Sequence, residues 1–432
     1  MNDPRPGPTN LTPARRGAWR SGAFLLWMLG VAGVSGCDSV LGPGGGSPGP
    51  QPPITELPRE LSAGELSLIR ANNAFGFELL HRMAEADREG SVVISPLSAS
   101  MALGMALNGA DGATFEGMRG ALGFGELGEE EINASFRSLI DLLLGLDATV
   151  STSLANSIWY RPDYTLVVDF AVRMDEAFDA AIRPFPAVAP ADSINRWVQD
   201  ATGGRIEEIA PDPLPGNVVA YLINAVHFLA GWTRPFDPEE TREEPFFPGD
   251  GTTAPVQMMF RDDTMSVHVT QEYAAVDLPY GREAYAMTVV VPQGEGTVHD
   301  LLAGLDEAAW SALVAGLATE RAALWLPRFE LEWEADLGDA LKPMGMEPAF
   351  EPGVADFSRM FEGGGPWIDQ VLQKTFIRVD EEGTEAAAVT AVIMTDSAPP
   401  SIRADRPFLF VIRERLSGTV LFAGVVVEAP EG

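Results

Sequence analysis

Residues 380–388 read Asp-Glu-Glu-Gly-Thr-Glu-Ala-Ala-Ala, and residues 389–399 continue this stretch as Val-Thr-Ala-Val-Ile-Met-Thr-Asp-Ser-Ala-Pro. The part that follows Gly383 is weakly charged and contains many small side chains. By itself it is compatible with the end of an alanine-rich helix or with an ordinary strand. Its interpretation therefore depends on the rest of the chain.

The composition is that of a globular protein, since 46% of the 432 residues are hydrophobic and 21% are charged. The length is compatible with two or three domains or with one large core. Lys and Arg number 29 against 62 Asp and Glu, which gives a formal charge of −33. Such a surface repels phosphate backbones, so we expect no nucleic-acid partner. One cysteine and four scattered histidines suit neither a disulfide framework nor a metal site, and we expect no metal and no cofactor.

The N-terminus has the pattern of an export signal. Three arginines within residues 15–20 precede an apolar run over residues 23–29, and small residues follow as far as Cys37. The run is too short to span a bilayer, which takes about 20 apolar residues. It resembles the bacterial lipoprotein signal, in which the cysteine is lipidated and becomes the new N-terminus. An ordinary signal peptide with an incidental cysteine is the alternative.

We therefore divide the chain into three parts. Residues 1–36 are the predicted signal peptide, residues 37–57 a Gly/Pro-rich tether that cannot pack a core, and residues 58–432 a single folded body. This organisation predicts an exported protein that is lipid-anchored through Cys37 to a bacterial membrane, on its periplasmic or cell-surface face. Release into the medium is the alternative location.

The body mixes helices and strands without a regular alternation. Residues 65–87 have a helical period, and Ser95 with Pro96 is a helix start that follows a short apolar strand at 92–94. The uncharged run 91–110 contains four serines and a proline, so we predict a buried helix and not a membrane span. Further strands are predicted at 218–229, 287–291, 323–331, 408–412 and 419–427, and further helices at 129–144, 191–201, 306–317 and 335–344. This pattern predicts an α+β fold and not a doubly wound sheet.

The body carries no motif of a common enzyme active site. Residues 58–432 contain no G-x-S-x-G elbow, no H-E-x-x-H motif, no P-loop and no dinucleotide fingerprint behind a predicted strand. A Ser-His-Asp triad assembled from distant residues stays open, because geometry defines a triad. Each histidine is better explained as structural, so a hydrolase is the least favoured class.

Several motifs resemble landmarks of the serpin family. Residues 94–98 (Ile-Ser-Pro-Leu-Ser) with Asn-Gly-Ala at 108–110 resemble its opening motif, and residues 222–228 (Leu-Ile-Asn-Ala-Val-His-Phe) resemble its central strand. Later landmarks are matched by Leu-Pro-Arg-Phe at 326–329, Met-Gly-Met at 344–346, Ala-Asp-Phe-Ser at 355–358 and Arg-Pro-Phe-Leu-Phe at 406–410. Residues 380–388 then match its hinge. The motifs follow the family's order over about residues 65–428.

This resemblance implies a serpin-like α+β fold of three β-sheets wrapped by helices, with an exposed reactive loop over about residues 382–402. The implied function is inhibition of a serine-type endopeptidase by a suicide-substrate mechanism. The protease cleaves the loop, the loop's N-terminal part inserts into the main sheet, and the acyl-enzyme is carried along and trapped. The implied protein is a monomer and an inhibitor, not an enzyme.

The resemblance assigns the hinge to Glu381, Glu382, Gly383, Thr384, Glu385, Ala386, Ala387 and Ala388. Insertion as a strand requires small side chains on alternate residues. Thr384, Ala386, Ala388, Thr390 and Val392 share one face, and Glu385 falls on the other. This hinge favours an inhibitor.

The position of the cleaved bond is predicted to within one residue. Counting forward from Gly383 by the family's spacing gives Ser397–Ala398, whereas counting backward from Pro407 gives Asp396–Ser397. Ser397 suits an elastase- or subtilisin-like target protease, and Asp396 an Asp-specific one. We favour Ser397.

Other positions match family residues that control loop insertion. Ser95, Ser98 and Asn224 match residues that control opening of the main sheet, and Gln373 stands where their usual histidine partner is found. We therefore expect a surviving hydrogen-bond network without the pH dependence of a histidine.

Two further regions of the chain match family regions, one where the loop inserts and one where some relatives bind heparin. Trp232 marks the point where the loop first inserts, and Arg328 with Glu381 matches a pair that braces it. The stretch 126–131 is acidic where some relatives bind heparin, so we expect no heparin-like polyanion. A non-inhibitory serpin that acts as a surface binding or chaperone-like protein is the main alternative function.

Overall fold

The computed structural model describes residues 51–125, 127–249, 251–363, 365–383 and 400–430. Its helices are α1 (Ala63–Ala86), α2 (Pro96–Gly109), α3 (Gly112–Ala121), α4 (Glu129–Gly145), α5 (Val168–Phe178), α6 (Pro190–Ala201), α7 (Val298–Ala303), α8 (Glu307–Ala315), α9 (Gly338–Leu341) and α10 (Glu347–Phe350). Its strands are β1 (Val92–Ile94), β2 (Ser151–Tyr160), β3 (Ala181–Pro184), β4 (Ala220–Leu229), β5 (Arg242–Phe246), β6 (Ala254–Val269), β7 (Tyr273–Tyr280), β8 (Tyr285–Pro292), β9 (Ala318–Pro327), β10 (Phe329–Asp336), β11 (Leu372–Val379), β12 (Ser401–Arg403), β13 (Phe408–Glu414) and β14 (Val420–Val426).

The described strands form three hydrogen-bonded sheets. The largest has nine strands in the order β1-β14-β13-β8-β7-β6-β9-β12, with β5 paired to β6. A three-stranded sheet has the order β3-β2-β4, and a two-stranded sheet consists of β10 and β11. The predicted α+β fold with three sheets and surrounding helices is confirmed.

Helix α2 lies in the centre of the protein. Ser95 caps it, because its hydroxyl accepts a hydrogen bond from the Ser98 N–H, and Pro96 occupies the first helical position. All but one of its residues are buried, which explains the uncharged sequence. No helix of the described ranges has the length and apolar content of a membrane span.

Two predicted elements are wrong in detail. The strand predicted at 323–331 is two strands, because the chain passes from β9 to β10 at Arg328 and the two strands belong to different sheets. The helix predicted at 335–344 begins only at Gly338, since Ala335 and Asp336 are the last residues of β10.

The last residues of the predicted tether contact the body. The Ile54 N–H donates to the Arg282 carbonyl at 2.7 Å, and Arg282 Nε donates to the Pro52 carbonyl at 3.0 Å. Ile54 and Leu57 are partly buried against the main hydrophobic core.

Candidate functional site

A cleft separates the three-stranded sheet from the two-stranded one. Strand β4 is the edge of the first sheet and β11 the edge of the second, and no ladder joins them in the described part of the chain. Both strands line one cavity of about 130 Å³, whose floor includes α2. We call this cavity the cleft. It is the place where an additional strand would complete one continuous sheet.

The start of α2 is tied to the β11 side of the cleft. Gln373 Oε1 accepts a hydrogen bond from the Ser95 N–H at 3.2 Å, and Gln373 Nε2 donates to the Ser95 carbonyl at 3.0 Å. Ser95 Oγ donates to the Leu421 carbonyl at 2.8 Å, which fixes the same turn to the nine-stranded sheet. One amide side chain thus satisfies both backbone groups of a buried residue, as burial requires.

The β4 side of the cleft is tied to α2 more loosely. Ser98 Oγ donates to the Asn224 carbonyl at 3.4 Å. The Asn224 side chain points elsewhere, because its Nδ2 donates to Asn156 Oδ1 at 2.6 Å and lies 3.8 Å from Met101 Sδ. Asn224 Oδ1 is buried without a hydrogen-bond partner.

Of the four residues predicted to control sheet opening, Ser98, Asn224 and Gln373 line the cleft, and Ser95 is hydrogen-bonded to Gln373. Asn224 and Gln373 share no hydrogen bond. Sequence reasoning missed Asn156, which is buried on β2 and holds Asn224. It also missed Thr375, whose Oγ1 donates to the Val93 carbonyl at 2.6 Å. No motif marked either residue, since neither β2 nor β11 was predicted as a strand.

The described residues of the predicted hinge, 381–383, are held against the segment that follows β4. Trp232 Nε1 donates to the Asp380 carbonyl at 2.9 Å, and the Trp232 N–H donates to the Glu382 carbonyl at 3.0 Å. The indole stacks on Tyr280 with ring centroids 4.3 Å apart. Trp232 thus contacts the described residues of the predicted hinge, and its role as the point where the loop first inserts stays a prediction.

Gly383 fills a position that only glycine fits. Its φ of 119° lies in the region that side chains disfavour. A Cβ there would lie 2.4 Å from the Trp232 nitrogen and 2.7 Å from the Ala230 oxygen. Gly383 pairs with Gly231 as an antiparallel bridge, so the chain that leaves β11 lies against the second residue after β4.

Arg328 and Glu381, the pair that is predicted to brace the loop, form an ion pair. Arg328 Nε lies 2.8 Å from each carboxylate oxygen of Glu381, and an Arg328 terminal nitrogen lies 2.6 Å from Oε1. Thr241 also donates to the carboxylate. Burial by itself raises the pKa of Glu381, which is 4% exposed, but the hydrogen bonds from Arg328 and Thr241 outweigh burial and hold the pKa below its usual value.

Several predicted residues lie outside the described part of the chain. These are the lipidation residue Cys37, the hinge residues Thr384, Glu385, Ala386, Ala387 and Ala388, and the cleavage candidates Asp396, Ser397 and Ala398. Their roles stay predictions.

The comparison with known families matches this geometry. The family model "Serpin (serine protease inhibitor)" covers residues 70–429. The chain therefore belongs to the serpin family, in which inhibitors that bind target proteases are found beside non-inhibitory members.

Known relatives span nearly the whole body. An uncharacterized serpin-like protein of Thermococcus kodakarensis is 33% identical over 385 residues, which are 85% of this chain and 87% of that protein. Among solved structures, human thyroxine-binding globulin complexed with thyroxine superimposes with a TM-score of 0.78 at 27% identity, covering 85% of this chain and 100% of that one. The native state of the thermophilic serpin tengpin superimposes with a TM-score of 0.77 at 28% identity, covering 88% and 97%.

Proposed function

We propose that this protein is a suicide-substrate inhibitor of a serine-type endopeptidase, held at a bacterial membrane by a lipid on Cys37. The protease cleaves within residues 396–398, and the part of the loop that begins at Gly383 inserts into the cleft. Insertion then traps the protease while it is still esterified to the loop.

The cleft is the observation that carries this proposal. Strands β4 and β11 are neighbouring sheet edges over a floor formed by α2, and Gly383, beyond the end of β11, is bridged to Gly231, beyond the end of β4. A strand added there gains backbone hydrogen bonds on both sides. The inserted state is then more stable than the uncleaved one, which supplies the free energy for trapping.

The target class follows from the loop sequence. Small and polar residues at 396–398 suit an elastase- or subtilisin-like protease better than a trypsin-like one, which requires Arg or Lys. The lipid anchor rests on the signal and on Cys37, and it places the inhibitor at the periplasmic or cell-surface face.

A panel of proteases tests the proposal. The protein is incubated with elastase-like, subtilisin-like, trypsin-like and Asp-specific enzymes, and products are separated in SDS. We expect an SDS-resistant complex with an elastase- or subtilisin-like enzyme, and cleavage between Ser397 and Ala398. A complex with the Asp-specific enzyme alone would move the bond to Asp396–Ser397, and loop cleavage without any complex would contradict inhibition.

A ligand-binding protein is the second candidate. The likeness to thyroxine-binding globulin favours it, together with a cavity of about 350 Å³ between α1, α8 and the turn after β13. Arg413 lines this cavity; its Nη2 donates to Asp277, and its Nη1 is buried with no partner. Such a site would suit an anionic group on an apolar body. A chain with this function alone would be cut by the panel and form no complex.

A further inference from the structure

Three side chains stack in a row across one end of the nine-stranded sheet. Trp325 on β9 is paired with Phe260 on β6 and with Arg403 on β12. The Phe260 and Trp325 ring centroids are 4.8 Å apart, and the Arg403 guanidinium carbon lies 4.6 Å from the Trp325 ring centroid. We call these three residues the stacked row. It crosses three neighbouring strands with the indole in the middle.

The stacked row lies on the accessible face of these strands. Leu324 and Leu326, on either side of Trp325, are completely buried, and so is Ile402 beside Arg403. Successive side chains of a strand point to opposite faces, so the row points away from the core. All three of its members are accordingly partly exposed.

The charges on this face are balanced locally. Arg403 forms ion pairs with Glu244 and Asp405. Further along the same face, Arg321 Nε and Nη2 donate to the two carboxylate oxygens of Asp262 at 2.8 Å each. Although the whole chain has a formal charge of −33, a partner that binds here meets paired charges around an aromatic centre. Such a surface fits an apolar patch better than a strongly charged one.

The stacked row also lies near the point where the predicted loop rejoins the body. The Pro400 carbonyl accepts a hydrogen bond from the Ala323 N–H at 2.9 Å, and β12 begins at the next residue. The predicted cleavage positions 396–398 precede Pro400 by two to four residues. An extended chain covers at most about 3.6 Å per residue, so the cut lies within about 14 Å of Pro400. A protease domain of about 250 residues has a radius of gyration of about 18 Å, so its body reaches past the loop to β12 and β9.

We infer that the stacked row is a docking surface for the target protease, and that it receives an apolar rim beside the protease's substrate cleft. Trp325 is its centre, because it is the aromatic side chain that contacts both other members. Trp and Arg are enriched among the residues that dominate the binding energy of protein interfaces. The inference rests on the proposed function, since it concerns the complex with a protease. It adds that recognition depends on residues outside the cleaved loop.

The test measures reversible docking of the uncleaved protein on a protease whose nucleophilic serine is replaced by alanine, so that neither cleavage nor insertion contributes. The protease is the one that forms the SDS-resistant complex in the panel. We expect Trp325→Ala to raise the Kd about tenfold, and Trp325→Phe, which keeps a ring in the row, to stay within about threefold of the parent. Phe115→Ala is the matched control and should leave the Kd unchanged. Phe115 is a partly exposed ring on α3 that also contacts two guanidinium groups, at 5.8 and 5.9 Å from its centroid.

Ionic strength and the active protease supply two further measurements. The ratio of the Trp325→Ala Kd to the parent Kd should be the same at about 0.05 M and about 0.5 M salt, because salt screens charges and not apolar contacts. With the active protease, Trp325→Ala should slow complex formation by the same factor. It should not change the number of inhibitor molecules consumed per protease inactivated, because that number reports insertion and not docking.

Several results would overturn the docking surface. If the parent docks and Trp325→Ala docks equally well, or loses no more affinity than Phe115→Ala, the surface is wrong while inhibition stands. A loss that disappears at the higher salt concentration would exclude an apolar contact. Self-association of the parent that Trp325→Ala abolishes, with protease binding unchanged, would assign the surface to a second copy of this chain. If no protease of the panel forms a complex with the parent, the proposed function and this inference both fail.

Discussion

Replacing Arg328 by methionine tests whether the brace on the hinge is electrostatic. The substitution keeps the apolar stem of the side chain and removes the guanidinium that contacts the Glu381 carboxylate at 2.6 and 2.8 Å. Glu381 is only 4% exposed, so its charge would be left with Thr241 as the remaining side-chain donor.

The magnitude follows from the burial of the two partners. Removing one partner of a buried ion pair costs about 3–5 kcal/mol, because the other charge stays buried without compensation. The Arg328 side chain is 33% exposed, so water screens part of the interaction. We therefore expect Arg328→Met to lower the free energy of unfolding of the uncleaved protein by about 2–3 kcal/mol at pH 7.

The loss of stability that Arg328→Met causes should depend on pH, and the direction follows from the pKa of Glu381. In the parent the folded-state pKa of Glu381 is lowered, so its stabilisation is present above the unfolded pKa of about 4.3 and is lost as the pH falls through the folded value. In the variant, burial dominates and raises the pKa of Glu381, so the carboxyl becomes neutral on mild acidification. The difference between parent and variant should therefore be largest at neutral pH and should shrink below about pH 4.

Guanidinium unfolding of the uncleaved protein at several pH values measures this difference, and Glu381→Gln provides the control. Combined with Arg328→Met, Glu381→Gln should recover part of the lost stability, because no charge remains buried. An Arg328→Met loss that is the same at pH 7 and below pH 4, or that Glu381→Gln does not relieve, would refute an electrostatic brace.

Three further predictions concern the anchor and the hinge. Cys37→Ala should move the protein out of the membrane fraction and abolish lipid labelling; retention with an intact label would contradict the lipoprotein assignment. Ala388→Glu should leave folding and the first cut intact yet abolish trapping, because a charge would be carried into the interior on insertion. Ala387→Glu should be milder, and the number of inhibitor molecules consumed per protease inactivated compares the two. Gly383→Ala should destabilise the uncleaved protein and change Trp232 fluorescence, since its Cβ would meet the Trp232 backbone at 2.4 Å; an unchanged spectrum and midpoint would show that the backbone relaxes freely.

Elements whose signal is local could be predicted from the sequence. Ser95 and Pro96 mark the start of α2 because capping depends on residues within one turn. The apolar runs of β8, β13 and β14 are visible because both faces of these strands are buried. The 16-residue β6 was missed, since only part of its residues are buried and its charges conceal the pattern.

The sequence by itself determined the α+β fold class and carried the motifs of the serpin family, because caps, apolar runs and short motifs act over a few positions. Only the tertiary structure decided which groups meet. Gln373 and Ser95 are 278 residues apart, Asn224 and Asn156 are 68 apart, and Arg328 and Glu381 are 53 apart. Hydrogen bonds across such separations depend on strand order and register, which no local pattern encodes. The unpartnered Asn224 oxygen is likewise visible only in the folded protein, because an acceptor lacks a donor only once water has been excluded from it.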